Sequence, residues 1–307
     1  MQTTLKAPVT FTGKGLHSGR PVRMTLLPAS AQYGIWFRRT DIDVGDAFIP
    51  AKWDAVSDMR LCSKISNASG ATVSTVEHIM AALAGCGVHN TLIEIDGPEV
   101  PILDGSSAQF VSSILERGLV ELNSTVHAIK VLKPVKVQIG DSWARLSPAE
   151  NLTIDFHIDF VDAAIGRQEK SLNMANGAFV RELCDSRTFC RMADVEAMRE
   201  QGLIVGGDLA SAVVVDEDKV VTPGGMRHAD EPVRHKMLDA LGDLYLAGAP
   251  ILGKYEGHRA GHAITNKLLR ALFADPTTYK LEECDQLKVA LLPGSGIQHD
   301  DHILVAS

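Results

Sequence analysis

His235-Lys236-Met237-Leu238-Asp239-Ala240-Leu241-Gly242-Asp243-Leu244 reads as a helix, and the rest of the chain is organised around it. Met237, Leu238, Leu241, Leu244, Tyr245 and Leu246 form an apolar stripe at near-helical spacing. Asp230 and Glu231 ahead of Pro232 suit a first helical turn. His235 and Asp239 are four apart, so they stand one above the other on one face, and Asp243 extends the ladder by a turn. Two readings fit the pair. It is a weak ion pair on a helix surface, or it supplies two ligands of a divalent cation whose remaining ligands come from elsewhere.

The 307 residues suffice for one large core or two modest domains. Hydrophobic residues at 45% and charged ones at 22% give the profile of a soluble globular protein. No run of about eighteen apolar residues occurs, so no membrane span is expected. Met1-Gln2-Thr3-Thr4-Leu5-Lys6 lacks the apolar core of a signal peptide. The five cysteines (Cys62, Cys86, Cys184, Cys190 and Cys284) form no CxxC pair and fit reduced thiols in a cytoplasm. The net charge of −8 argues against broad nucleic-acid binding, while an anionic small molecule held by a few local cations stays open.

The chain carries a repeat. From about Thr4 to Pro28 it reads as strands around the turn Gly13-Lys14-Gly15-Leu16-His17-Ser18-Gly19, followed by the strand Gly34–Arg38. Val131–Val137 then alternates like a strand, with another at Leu152–Phe156. A helix near Thr72–Gly85, the strand Thr91–Ile95 and a helix near Ala108–Arg117 are echoed later. There a helix near Pro232–Leu246 leads to a strand near Pro250–Tyr255 and a helix near Ala260–Phe273. The expected class is α+β: two similar domains, each a β-sheet with helices on one face, packed as a sandwich. We place them at residues 1–122 and 127–280, with a C-terminal tail at 281–307. The second carries an insertion at about 191–221, with a helical piece (Ala193–Glu200), the Gly206-Gly207 turn and the strand Ala212–Val215: a β-α-β element. The first carries a Ser/Asn/Gly-rich loop near Ser63–Gly70 instead.

Thr72-Val73-Ser74-Thr75-Val76-Glu77-His78 opens the first unit's helix. Ser74 and Glu77 fit a capping box. In the other reading Glu77 is a base beside the ligand His78, because adjacent helical residues point about 100° apart. His78 and the His235/Asp239 pair lie on equivalent helices, so a pseudo-symmetric closure of the two units would bring them together. Two histidines, one aspartate and a water are the open coordination of a catalytic zinc, whose water Glu77 would deprotonate. His262 in Gly261-His262 is a cap or surface residue, or else an acid for a leaving amine or a stabiliser of the oxyanion, with Asp243 as its partner. Thr188 ends a strand, or donates a hydrogen bond to an oxyanion.

Ser74-Thr75-Val76-Glu77-His78, Ser186-Arg187-Thr188-Phe189, Arg234-His235-Lys236-Met237-Leu238-Asp239 and Gly261-His262-Ala263 resemble the zinc-dependent UDP-3-O-acyl-N-acetylglucosamine deacetylases of lipid A biosynthesis. So do the Gly13–Gly19 turn and Leu103-Asp104-Gly105-Ser106, so the resemblance spans nearly the whole chain. It implies two similar α+β domains with the active site between them, and hydrolysis of the substrate's N-acetyl group to acetate and UDP-3-O-acyl-glucosamine. It implies that His78, His235 and Asp239 bind Zn2+, with Fe2+ able to take its place. It implies Glu77 as general base, His262 as general acid tuned by Asp243, and Thr188 on the amide carbonyl. Lys236 would meet the diphosphate, Phe189 would pack on substrate, and Cys62 would neighbour the metal. The insertion would form an apolar passage for the acyl chain, with Met192, Val195, Ile204 and Val214 as lining. At about 0.8 kcal/mol for each buried CH2, such a passage contributes much of the binding. Some positions depart from the pattern: Asp162-Ala163 where relatives often have His-Pro, Ser142 where some have lysine, Arg191 at an often aromatic position, and Arg259 where a phosphate-binding lysine is usual. The partner implied is a UDP-linked acylated amino sugar. No nucleic acid and no membrane span are expected, contact with the inner membrane surface is at most transient, and the chain is expected to be a cytoplasmic monomer.

Two other function classes stand beside this one. The same two histidines and aspartate match the facial triad of a non-haem Fe(II) oxygenase, although no second carboxylate or arginine motif for an oxoacid is evident. A repeat-built binding module would catalyse nothing and would not need Glu77 or His262.

Overall fold

The computed structural model describes residues 1–58 and 61–301; the end of the expected tail, residues 302–307, lies outside the described residues. In the first half a five-stranded sheet has the order Val9–Lys14, Pro21–Pro28, Thr91–Ile95, Ile35–Arg39, Phe48–Pro50. Its one parallel pair is Ile35–Arg39 beside Thr91–Ile95. The second half repeats the pattern with Val135–Ile139, Ser142–Ser147, Ile251–His258, Leu152–Asp159 and Arg167–Asn173. Among these five, one pair is parallel, Leu152–Asp159 beside Ile251–His258, and the sheet continues through His127–Val131, parallel to Ile251–His258, to Tyr279–Glu283. Parallel neighbours need a crossover, and each crossover carries a helix. In the first half it is α1 (Glu77–Cys86), and α2 (Ala108–Arg117) follows the sheet. The second half has α3 (Ala178–Glu182), α4 (Met192–Glu200), the crossover helix α5 (Glu231–Tyr245), α6 (His262–Ala274) and the short α7 (Gln286–Val289). The fold is thus α+β, with the same strand order and crossover in each half.

The helices meet in the middle. Every residue of α1 is buried, and so are nearly all of α5, as for helices enclosed by other layers. They approach tightly at Gly242. A Cβ there would lie 2.0 Å from the Glu77 carbonyl oxygen and 3.1 Å from the Ala81 nitrogen. A residue without a side chain lets the two backbones touch at the first turn of α1.

The inserted β-α-β element is present: Phe189–Arg191 runs parallel to Val213–Asp216, with α4 between them. Four local expectations change. The helix expected from about Thr72 begins at Glu77, because Thr72–Ser74 pairs as a strand with Lys64–Ser66 and Thr75 turns to φ 59°. The polar loop near Ser63–Gly70 is part of a small antiparallel sheet with Val56–Asp58. Its register puts the buried residues Val56, Ile65 and Val73 side by side, and composition had masked that alternation. The continuous strand Val131–Val137 is two strands, His127–Val131 and Val135–Ile139, broken at Lys133-Pro134. Residues placed in the tail at 281 onward begin as sheet, since Tyr279–Glu283 pairs with His127–Val131.

Glu231, expected only as a first-turn acid, is fully buried and binds the segment before the insertion. It accepts from the Arg187 backbone N–H and Nε, both at 2.9 Å, and from the Arg227 N–H at 2.6 Å. Burial alone would raise its carboxyl, but these hydrogen bonds outweigh burial and hold it below the ordinary glutamate value of 4.5.

Two outcomes follow from this packing. Gly242→Ala forces α5 off α1 and is expected to lower stability by about 1–3 kcal/mol in denaturant melts; a native midpoint contradicts the close approach. Glu231→Gln leaves Arg187 buried without a counter-charge, at a cost of about 3–5 kcal/mol at pH 7. A depressed carboxyl stabilises above its unfolded value and loses that contribution as pH falls. The gap between native and variant protein should therefore narrow below pH 4.5, and a gap independent of pH contradicts this account.

Candidate active site

α1 presents Glu77 and His78 in its first turn, α5 presents His235, Asp239 and Asp243 down one face, and α6 opens with His262. The close approach at Gly242 brings these three elements together. His235 Nε2 lies 3.3 Å from Asp239 Oδ1, and His78 Nε2 lies 3.7 Å from the same oxygen. The two imidazole rings are 5.0 Å apart at 90°. The donor atoms of His78, His235 and Asp239 lie within 4.8 Å of one another, and this is the one such His/Cys/Asp/Glu group among the described residues.

These residues fit a divalent cation. Burial pushes the His78 imidazole down to about 3, with His235 adding to it, and burial also lowers His235. Both rings are therefore neutral, the form that ligates, and their contacts with Asp239 are not ion pairs. The His235 Nδ1 donates to the Ser186 carbonyl at 3.0 Å, which leaves a lone pair on Nε2. Asp239 Oδ1 is buried with no hydrogen-bond partner among the described residues. Two lone-pair atoms at such a distance, out of water, call for a cation between them. The other oxygen, Oδ2, is held by Lys236 Nζ at 2.7 Å. Burial would raise the Asp239 carboxyl, but the cationic Lys236 and His262 outweigh it and hold it well below the usual aspartate range.

Glu77 and His262 stand beside this group. His262 Nε2 is 3.8 Å from Glu77 Oε1 and 4.0 Å from Asp239 Oδ2. Its Nδ1 is 2.8 Å from Asp243 Oδ2. Burial would lower the His262 imidazole, yet Asp243 and Glu77 outweigh it and raise it to about 9. Burial pushes the Glu77 carboxyl up to about 7, against the opposing pull of His262. Of the two readings of Glu77, the capping box is not formed. α1 has no side-chain cap, Ser74 Oγ donates to the Pro98 carbonyl, and Glu77 Oε2 instead accepts from the Ser63 N–H at 2.9 Å. Ser63 Oγ donates in turn to Asp243 Oδ1 at 2.5 Å, so one serine holds both the carboxylate and the partner of the imidazole.

The group opens into a cleft of about 740 Å3 that Glu77, His78, His235, Lys236, Asp239 and His262 line together with Cys62, Thr188 and Phe189. A second cavity of about 350 Å3 leads off it beneath the insertion. Its walls include Met192, Val195, Ile204 and Val214, all four of the expected apolar lining residues. Thr188 and Phe189 sit where the two cavities join, and the Phe189 ring stands 6.3 Å from the His235 ring. The Cys62 thiol is pushed up to about 12 by burial and then by Glu77, so it stays protonated. Arg259 lies apart from both cavities and is paired with Asp159. Arg191 lines the cleft and pairs with Asp162 and, at 3.3 Å, with Asp194.

Three contributors were given no role by the sequence, although two of them lie inside its motifs. Ser63 precedes a strand and belongs to no motif. Ser186 acts through its backbone carbonyl. His17 lies in the glycine-rich turn, where Glu99 accepts from its N–H at 2.8 Å, and its buried Nε2 has no partner among the described residues.

The family profile described as UDP-3-O-acyl N-acetylglycosamine deacetylase matches residues 2–274. The chain is similar to proteins named UDP-3-O-acyl-N-acetylglucosamine deacetylase. It is 43% identical to that of Pasteurella multocida (strain Pm70) over 286 residues, 92% of this chain and 93% of that one. It is 46% identical to that of Phenylobacterium zucineum (strain HLK1) over 280 residues, 91% of this chain and 96% of that one.

Stripped by a chelator and titrated with Zn2+, the native protein should bind one equivalent. His78→Ala and Asp239→Ala should remain largely empty at the free metal concentration that fills the native site. Full occupancy in either variant excludes this ligand set.

Proposed function

The chain belongs to the UDP-3-O-acyl-N-acetylglucosamine deacetylase family, metal-dependent hydrolytic deacetylases of lipid A biosynthesis, and we propose from this premise how its residues divide the work. The protein removes the N-acetyl group of UDP-3-O-acyl-N-acetylglucosamine, giving acetate and the free amine. We take the ion to be Zn2+, held by His78, His235 and Asp239. When bound, it supplies a Lewis acid that makes a water acidic near neutral pH and polarises the amide carbonyl.

Glu77 accepts the proton of the attacking water at its Oε1 side, the side that faces His262. A carboxyl raised to about 7 is a better matched base near neutrality than an ordinary glutamate. His262, protonated up to about 9 because of Asp243, delivers a proton to the departing nitrogen and leaves the product amine neutral as the C–N bond breaks. Thr188, which lines the cleft, donates its hydroxyl to the carbonyl oxygen as charge develops there. Phe189 packs against the sugar at the junction of the two cavities, and the 350 Å3 cavity takes the acyl chain. Lys236 reaches the diphosphate from its place on Asp239, whereas Arg259 would have to leave Asp159 to do so. Cys62 neighbours the ion as a neutral thiol.

The observation that carries this reading is a raised glutamate carboxyl and a raised histidine held 3.8 Å apart, beside one unsatisfied aspartate oxygen. A facial-triad oxygenase has no use for that pair. Glu77→Ala and His262→Ala are each expected to lower kcat by about 10²–10⁴-fold with metal content and melting temperature unchanged, measured by acetate release. A native rate from either variant removes its assigned role, and oxygen uptake coupled to turnover would favour the oxygenase.

A further inference from the structure

The turn Leu103-Asp104-Gly105-Ser106 belongs to the first half, yet it lies against the second half's Thr188. Its backbone is unusual: Leu103 has φ 53° and Gly105 φ 83°. A Cβ on Gly105 would sit 1.9 Å from the Ser211 carbonyl oxygen and 3.3 Å from Thr188 Cγ2, so only glycine fits. The Gly105 carbonyl accepts the Thr188 N–H at 2.7 Å, and the Thr188 carbonyl accepts the Val213 N–H at 2.8 Å. Both polar backbone groups of Thr188 are thus fixed, and the residue lines the cleft.

Asp104 shapes the turn from one side and anchors it on the other. Its Oδ1 accepts from the Ser106 N–H and hydroxyl at 3.1 and 2.9 Å. Its Oδ2 pairs with Arg227 NH2 at 2.9 Å. Arg227 also donates to the Asp185 carbonyl at 2.6 Å, one residue before the segment that carries Thr188. The ion pair is partly exposed, with side-chain exposures of 18% for Asp104 and 36% for Arg227, so its contribution to stability is small.

We propose that Asp104 is a positioning residue: with Arg227 it holds the Leu103–Ser106 turn so that Gly105 places the Thr188 hydroxyl at the scissile carbonyl. The inference rests on Thr188 acting there. A donor must sit within a few tenths of an ångström of the place where negative charge develops, and small misplacements cost rate rather than binding.

The test is a double-mutant cycle on deacetylation by the metal-loaded protein, with metal content and melting temperature recorded for every variant. Asp104→Asn and Arg227→Gln should each lower kcat by about tenfold, with KM within about twofold. In a Thr188→Ala background the same substitutions should change kcat by less than about twofold, because the group they position is gone. Arg227→Gln breaks the ion pair from the other half and serves if Asp104→Asn does not fold. If Thr188→Ala turns over at the native rate, the reading on which the inference rests fails, and the inference with it. If Thr188→Ala is impaired but the losses multiply, or Asp104→Asn and Arg227→Gln raise only KM, positioning by Asp104 is overturned alone.

Discussion

The contact between α1 and α5 at Gly242 is the constraint on which the rest depends. The ligands come from helices about 160 residues apart in the chain, and each helix belongs to its own sheet and crossover. Sequence separation makes such a meeting costly in loop-closure entropy, so it must be set by packing around it. The absent side chain at Gly242 lets the backbone of Glu77–Ala81 lie against α5. That contact places His78 over the His235–Asp239 face and turns Glu77 toward His262. A wider spacing would separate the base from its acid as well as the ligands from one another.

The same burial sets the chemistry. Removing these groups from water penalises every charged form, so the histidines on the ligand side lose their protons and Glu77 gains affinity for one. His262 escapes the penalty because Asp243 is hydrogen-bonded to it and Glu77 lies close by. The imidazoles that face Asp239 and the one that faces Asp243 therefore take opposite protonation states. Ser63 links the two carboxylates behind them, which ties the geometry of the base to that of the acid's partner.

Much of this was legible in the chain. The i,i+4 spacing of His235 and Asp239 survives as a shared face because the apolar stripe around it is long. The recurrence of strand, helix and strand gave the twofold architecture before any coordinates. The start of α1 was misread because Thr72-Val73-Ser74 suits a strand or a first turn equally, and only its pairing with Lys64–Ser66 decides. Val131–Val137 looked continuous because alternation is local, while the break at Pro134 depends on which neighbours supply hydrogen bonds. Ser63 and the Ser186 carbonyl could not be found from sequence at all. Their roles come from chain segments that meet only in the fold, and a backbone carbonyl carries no residue signature.

X-ray absorption at the zinc edge of the zinc-reconstituted protein tests the central claim most directly. The account predicts two imidazole nitrogens and oxygen ligands at about 2.0–2.2 Å, with no sulfur at about 2.3 Å. The imidazoles would be those of His78 and His235, and the missing sulfur is that of the protonated Cys62. A spectrum with one imidazole would contradict it, because α1 and α5 would then not be sharing a single ion; a thiolate in the first coordination sphere would contradict it by making Cys62 a ligand.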